Sequence, residues 1–179
     1  MFTSSGRRTV AGNHSRRKGS SAELELARLI HEELGIRMQR QLDQPRSGGW
    51  DLELHPDELG PVAEQIGRYA IECKRAATAS PATVAGWWRQ AWAQAAAAHR
   101  APCLAYRVDR QGWLFVVPLQ ELDRTLPAAT GDNLDFCAVL TLRGWAALVR
   151  ESAGLRVLPT RPGCGSKQRG IFDSFGHPT

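Results

Sequence analysis

No stretch of this chain is apolar for long enough to cross a bilayer; the hydrophobic runs stop well short of the roughly 20 residues that a spanning helix needs. The basic residues near the start are not followed by the apolar run of a secretory leader. A cytoplasmic protein with no membrane partner is therefore expected. Cysteine is sparse. Cys73, Cys103, Cys137 and Cys164 are the four present, none forms a CxxC pair, and no histidine stands at finger spacing beside them. That excludes the usual structural zinc sites. Cys73 and Cys103 lie in apolar, strand-like runs and read as small buried hydrophobes in a reducing compartment. There is no internal repeat.

Acid is missing from residues 1–18, which carry Arg7, Arg8, Arg16, Arg17 and Lys18. Residues 160–179 add Arg161, Lys167 and Arg169 against Asp173. The formal net charge is +5, and these two ends carry +5 and +2 of it, which leaves −2 for the chain between them. Basic arms around a compact domain suit phosphate binding, because each neutralised phosphate releases counterions. The same charge also suits a solvated tail kept soluble by repulsion. Residues 1–18 are rich in Ser, Gly and Arg and lack periodicity, so a disordered arm is expected there, and a flexible tail over 159–179. Residues 19–158 then form one domain, long enough for a sizeable core.

Within that domain, Leu26, Leu29, Ile30 and Leu34 make an apolar stripe at helical spacing from Ser21 to Leu34, and Gly35 ends it. A strand fits residues 36–42, and Pro45 to Gly49 is a loop. Trp50 to Leu54 alternates, with Trp50, Leu52 and Leu54 on one face and Asp51 and Glu53 on the other. Residues 55–67 read as a loop or a short helical turn. Arg68 to Lys74 alternates again, setting Tyr69, Ile71 and Cys73 against Ala70, Glu72 and Lys74. Ser80-Pro81 opens a helix running to about His99, with the stripe Val84, Trp88, Ala91, Trp92 and Ala95. Strands over 102–108 and 113–117 flank the turn Asp109 to Gly112. A short strand at Ala138 to Leu140 precedes a helix that Thr141 caps and Gly154 ends. The order predicts an α/β (α+β) fold, a mixed sheet flanked by helices.

Glu72 and Lys74 stand two apart in a strand, so they share a face about 7 Å apart. If the strand of Asp51 is a neighbour, Asp51 and Glu72 come within reach of one cation. Two carboxylates, a backbone carbonyl and water make a hard oxygen site of the kind Mg²⁺ takes. Such an ion acidifies water and stabilises charge on a phosphate, and Lys74 is placed to orient that water. The same residues also fit a solvated hairpin face with cross-strand ion pairs. Glu23 lies three, four and seven residues before Leu26, Ala27 and Ile30, on the helix side that faces the sheet, whereas Glu25, Glu32 and Glu33 point elsewhere. An inward carboxylate needs a partner, which a metal site supplies. A capping box from Ser20 to Glu23 would satisfy it as well.

The run Arg17-Lys18-Gly19-Ser20-Ser21-Ala22-Glu23 resembles the opening of archaeal-type Holliday junction resolvases and their phage relatives, within the PD-(D/E)xK nucleases. Arg46-Ser47-Gly48-Gly49-Trp50-Asp51 resembles their loop into the metal-binding Asp, and Ile71-Glu72-Cys73-Lys74 their ExK strand, in the same order. The resemblance covers residues 16–118 and implies a restriction-endonuclease-like core. It implies Glu23, Asp51 and Glu72 as metal carboxylates with the Cys73 carbonyl, and Lys74 as the residue that positions water. It also implies Mg²⁺, with Mn²⁺ as a substitute. Arg16, Arg17, Lys18, Arg46, Ser47, Arg75 and Gln90 are the candidate DNA contacts, although Gln90 with Gln94 also fits a solvent-facing pair. Trp87 is off the helical stripe and fits base stacking or a dimer interface.

The reaction implied is hydrolysis of DNA phosphodiesters to 5′-phosphates by a two-fold dimer, since paired cuts in a junction need two sites. The loop between the Asp and ExK strands is longer, and the C-terminal portion larger, than a minimal resolvase needs. Two alternatives stand beside this reading: the same nuclease core with another specificity in repair, packaging or restriction, and a non-catalytic DNA-binding module.

Overall fold

The computed structural model describes residues 11–41 and 49–157, with the backbone alone over 11–20 and 155–157. In chain order the elements are α1 (Ala11–Leu34), β1 (Met38–Arg40), β2 (Leu52–Leu54), α2 (Pro61–Gly67), β3 (Tyr69–Ala76), α3 (Pro81–Ala97), β4 (Ala101–Val108), β5 (Leu114–Pro118), β6 (Cys137–Thr141) and α4 (Leu142–Val157). A 3₁₀ turn, Leu119–Glu121, follows β5.

The strands form a six-stranded sheet whose spatial order equals their chain order. Only β3 and β4 run parallel; the other neighbours are antiparallel. A parallel pair needs a crossover, and α3 supplies it. Strand alternation divides the core in two. On one face Leu26 and Ile30 of α1, Ile66 of α2, and Trp145 and Val149 of α4 pack against Tyr69, Ile71, Cys103, Phe115 and Val117. On the other face Trp88 and Ala91 of α3 pack against Leu104 and Val116. The sheet is mixed and flanked by helices, as the sequence predicts.

Local chemistry sets the element ends. Gly35, at φ 71°, stops α1 with its amide on the His31 carbonyl at 2.8 Å. The Ser80 hydroxyl accepts from the Thr83 amide at 3.2 Å, with Pro81 in the first turn of α3. Thr141 does the same for the Gly144 amide at 3.1 Å. The Trp88 indole N–H donates to the Thr130 carbonyl at 2.8 Å and ties the loop before β6 to α3.

The structure corrects several sequence expectations. The described residues are helical from Ala11 onward, so Arg16, Arg17 and Lys18 lie on the backbone of α1 and not in a disordered arm. Residues 11–20 hold no proline to break the helix, which runs through the weak formers Gly12 and Gly19. Because the helix runs through Ser20, no capping box starts there. Helix α4 passes Gly154 and reaches Val157; buried Val149 and Ala153 hold its inner face against the core, which outweighs the roughly 1 kcal/mol that an interior glycine costs. Cys73 and Cys103 are buried free thiols, as expected, and Cys137 is free and half-buried. Arg46, Ser47, Cys164 and the tail after Pro159 lie outside the described residues. No helix among the described residues is long and apolar enough to cross a membrane.

Candidate active site

The strands β2 and β3 meet at Leu52 and Ile71, whose paired side chains turn into the larger core. Alternation therefore sends Asp51 and Glu72 to the opposite side. Leu54 joins the core beside Leu52, whereas Trp50 lies under the Arg100 guanidinium, 4.5 Å from its ring centroid. Arg100 also donates to the Gly67 carbonyl at 2.7 Å, which anchors the approach to Asp51.

Asp51 is pinned to β3 twice. Its amide donates to the Ile71 carbonyl at 3.0 Å, and its carboxylate accepts from the Cys73 amide at 2.8 Å. Glu72 is buried, with a side chain only 2% exposed. One of its oxygens accepts from Lys74 Nζ at 2.6 Å and from Gln90 Nε2 at 2.7 Å. Its other oxygen, Oε2, is buried and has no hydrogen-bond partner among the described residues. A buried anionic oxygen left unpaired is costly unless a cation or proton reaches it. The electrostatics of Asp51 agree. Burial, and next the Glu72 charge, push its pKa up to about 7, against the lowering by the Cys73 amide; Glu23 adds to the rise and Lys74 opposes it. Two crowded carboxylates short of positive charge make a place suited to a cation.

Glu23 lies at the edge of the α1 face that buries Ala22, Leu26 and Ile30. Its carboxylate takes Arg40 of β1 as partner, in place of the Ser20 amide of a capping box, and its charge still reaches Asp51. Among the described residues no three or more His, Cys, Asp or Glu side chains converge to hold an ion, so the expected three-carboxylate set is not assembled. The donors left are Asp51, Glu72 and the Cys73 carbonyl: hard oxygens that could hold a divalent ion which keeps several waters. The Cys73 thiol turns into the core, where burial and the Asp51 charge raise its pKa, so it stays protonated and offers no thiolate.

The other candidates fall around this centre. Gln90 binds Glu72 and does not merely face solvent, and Gln94 one turn on has a buried side-chain oxygen. Arg75 is held by Glu25 at 3.7 Å and Asp109 at 3.5 Å. Trp87 packs on Tyr106 at 6.0 Å between ring centroids. The sequence reading missed Arg40, Arg100 and the cluster in which Glu25 accepts from Arg107 and, at 3.2 Å, from the Trp113 indole. Those partners lie far apart in the chain and carry no local signal.

No curated protein sequence matches the chain. A solved Holliday junction resolvase from Archaeoglobus fulgidus, an archaeal hyperthermophile, is similar at 18% identity over 72% of this chain and 99% of that one, with a TM-score of 0.41. Residues 14–133 match the model of a family described as "Phage putative PDDEXK endonuclease". That span takes in most of α1 with Glu23, both carboxylate strands and the crossover helix, and the chain belongs to this family of PD-(D/E)xK endonucleases.

Proposed function

We propose that the protein is a divalent-metal-dependent endodeoxyribonuclease, with Mg²⁺ as the working ion and Mn²⁺ as a substitute. The observation that carries this is the unpaired, buried Oε2 of Glu72 beside the raised Asp51 carboxylate. Asp51, Glu72 and the Cys73 carbonyl would hold the ion. When bound, it would lower the pKa of water and neutralise charge developing on the phosphate.

The protein's own groups do the rest. Gln90 and Lys74 hold one Glu72 oxygen and so leave the other for the ion. The Lys74 ammonium orients the attacking water and offsets phosphate charge. Water attacks phosphorus in line; a new P–O bond forms as the bond to the 3′-oxygen breaks, leaving a 3′-hydroxyl and a 5′-phosphate. Glu23 adds negative charge from α1, and Arg40 counters it. Arg16, Arg17, Lys18, Arg46, Ser47 and Arg75 are the proposed phosphate contacts.

Branched DNA is the proposed substrate and a two-fold dimer the proposed assembly, on the strength of the ordered sequence pattern from Arg17 to Lys74. The test is cleavage of a labelled four-way junction beside linear duplex of the same sequence, with Mg²⁺ or EDTA, by wild type and Glu72→Ala. Symmetric, Mg²⁺-dependent nicks in the junction, absent from the variant, are expected. Cutting of duplex instead keeps the active site and discards the junction. Binding with no cleavage of any DNA discards the enzyme.

A further inference from the structure

Helix α3 carries Trp87, Trp88 and Trp92, and packing accounts for two of them. Trp88 is fully buried and donates to the Thr130 carbonyl at 2.8 Å. Trp92 leans on Trp88 and lies so close to Gly131 that a Cβ there would come within 2.6 Å of its ring. Both serve the loop before β6. Trp87 does not. Helical spacing sets it on the other flank of the buried Trp88, Ala91 and Ala95, in line with Gln90 and Gln94 three and seven residues on. From that flank Gln90 reaches Glu72. Trp87 therefore stands on the rim of the candidate active site.

Its partner there is Tyr106 of β4, at 6.0 Å between ring centroids and an interplanar angle of 50°. The parallel register fixes where Tyr106 lies. Glu72 pairs with Leu104, and Lys74 with Tyr106. Leu104 packs beneath Trp88 and Ala91, so Tyr106 and Lys74, two residues on in each strand, point to the same α3 side. Tyr106 is thus the neighbour of Lys74 on one face, about 4.8 Å across the strands. The two rings are tilted and not stacked, and both residues stay partly exposed. Burial holds the Tyr106 phenol above its usual pKa, so this surface carries no charge to repel DNA.

A phosphate held at Lys74 brings its own nucleotides to this pair. Stacked bases follow one another at about 3.4 Å, less than one strand spacing. Inside a continuous duplex both faces of a base are covered by its neighbours. A base at a branch or in a single strand has a face to offer, and an aromatic ring replaces the missing neighbour. We propose that Trp87 and Tyr106 form the stacking surface for an unpaired base next to the scissile phosphate. This rests on the nuclease reading and narrows it: DNA with unpaired bases near the cut is preferred to perfect duplex.

The test is binding in EDTA, where no cleavage occurs, by anisotropy of a short labelled oligothymidylate, the same strand with abasic residues, and a duplex. Wild type should hold the intact strand about tenfold more tightly than the abasic one, as loss of a stacked base costs. Trp87→Ala should bring that ratio close to one and leave duplex binding little changed. Trp87→Phe, which keeps a ring, should restore most of the ratio. A purely structural role for Trp87 would lower all affinities together and leave the ratio intact, which overturns the proposal. Equal wild-type affinity for intact and abasic strands, or no binding of either, overturns it too. Cleavage is scored separately with Mg²⁺. An active enzyme with no preference for intact strands would sink the stacking surface alone, whereas an inactive protein with the expected ratios would sink the nuclease reading alone.

Discussion

Gln90 reaches from α3 to the same Glu72 oxygen that Lys74 holds, at 2.7 Å and 2.6 Å. The crossover helix thereby selects which oxygen of Glu72 is left over. Gln90→Ala should cut cleavage about 10- to 100-fold, the usual cost of losing a partner that orients a metal ligand. Gln90 is exposed, so stability should move by no more than about 0.5 kcal/mol. Gln90→Glu should be worse, since it sets a second negative charge on Glu72. Steady-state kinetics across a Mg²⁺ titration, beside thermal melts, measure both; wild-type cleavage by Gln90→Ala would sink the idea.

The raised pKa of Asp51 predicts an unusual stability profile for the metal-free protein. Its folded value is about 7 against an ordinary 3.8, so the folded state binds the proton more tightly than the unfolded chain does. The resulting stabilisation is complete below pH 4 and is lost as pH rises through 7, at about 1.4 kcal/mol for each pH unit between the two values. Asp51→Asn should therefore melt above wild type at pH 8 in EDTA, with the gap closing toward pH 4. Parallel profiles for the two proteins would refute the assignment.

Metal binding should carry the same proton. Below pH 7 the ion must displace it from Asp51, so Mg²⁺ affinity should fall up to about tenfold per pH unit. Titration calorimetry in buffers of different ionisation enthalpy should show about one proton released per ion. At about a hundred times Kd, Mg²⁺ should stabilise the fold by roughly 2.7 kcal/mol, an effect that Asp51→Asn should largely abolish. A metal response that is independent of pH would count against the Asp51–Glu72 pair as the ligand set.

Trp145 is the keystone of the larger core: fully buried, stacked on Phe115 at 4.5 Å and tilted against Tyr69 at 6.1 Å. Trp145→Ala should cost about 3–5 kcal/mol, much of the margin of a domain this size. Leu59→Ala, at 86% exposure, should cost almost nothing. Denaturant midpoints of the two variants decide it, and similar values would show that α4 is dispensable to the core.

Period and caps made most of the framework legible. Ser80-Pro81 and Thr141 announce α3 and α4 through hydroxyls that accept the amides they are expected to accept. The alternation around Ile71 separates core from site without any knowledge of the fold. What was illegible was tertiary. Ser20 to Glu23 has the spacing of a capping box, but the helix continues upstream and Arg40 claims the carboxylate. Gln90 is off the buried stripe of α3, yet its long side chain still reaches Glu72 from the rim. Glu25 meets Arg107 and Trp113 only after four strands are in place, and no local rule links partners that far apart.

The strands succeed one another in space as they do in the chain, and this places the candidate cutting residues early in synthesis. Glu23, Asp51, Glu72, Lys74 and Gln90 all precede β4. The aromatic surface that closes the core, Phe115 against Trp145, comes after them. An incomplete chain would thus carry every candidate catalytic residue on a sheet whose α4 side is open to water. The last helix, through Trp145, is what covers that side.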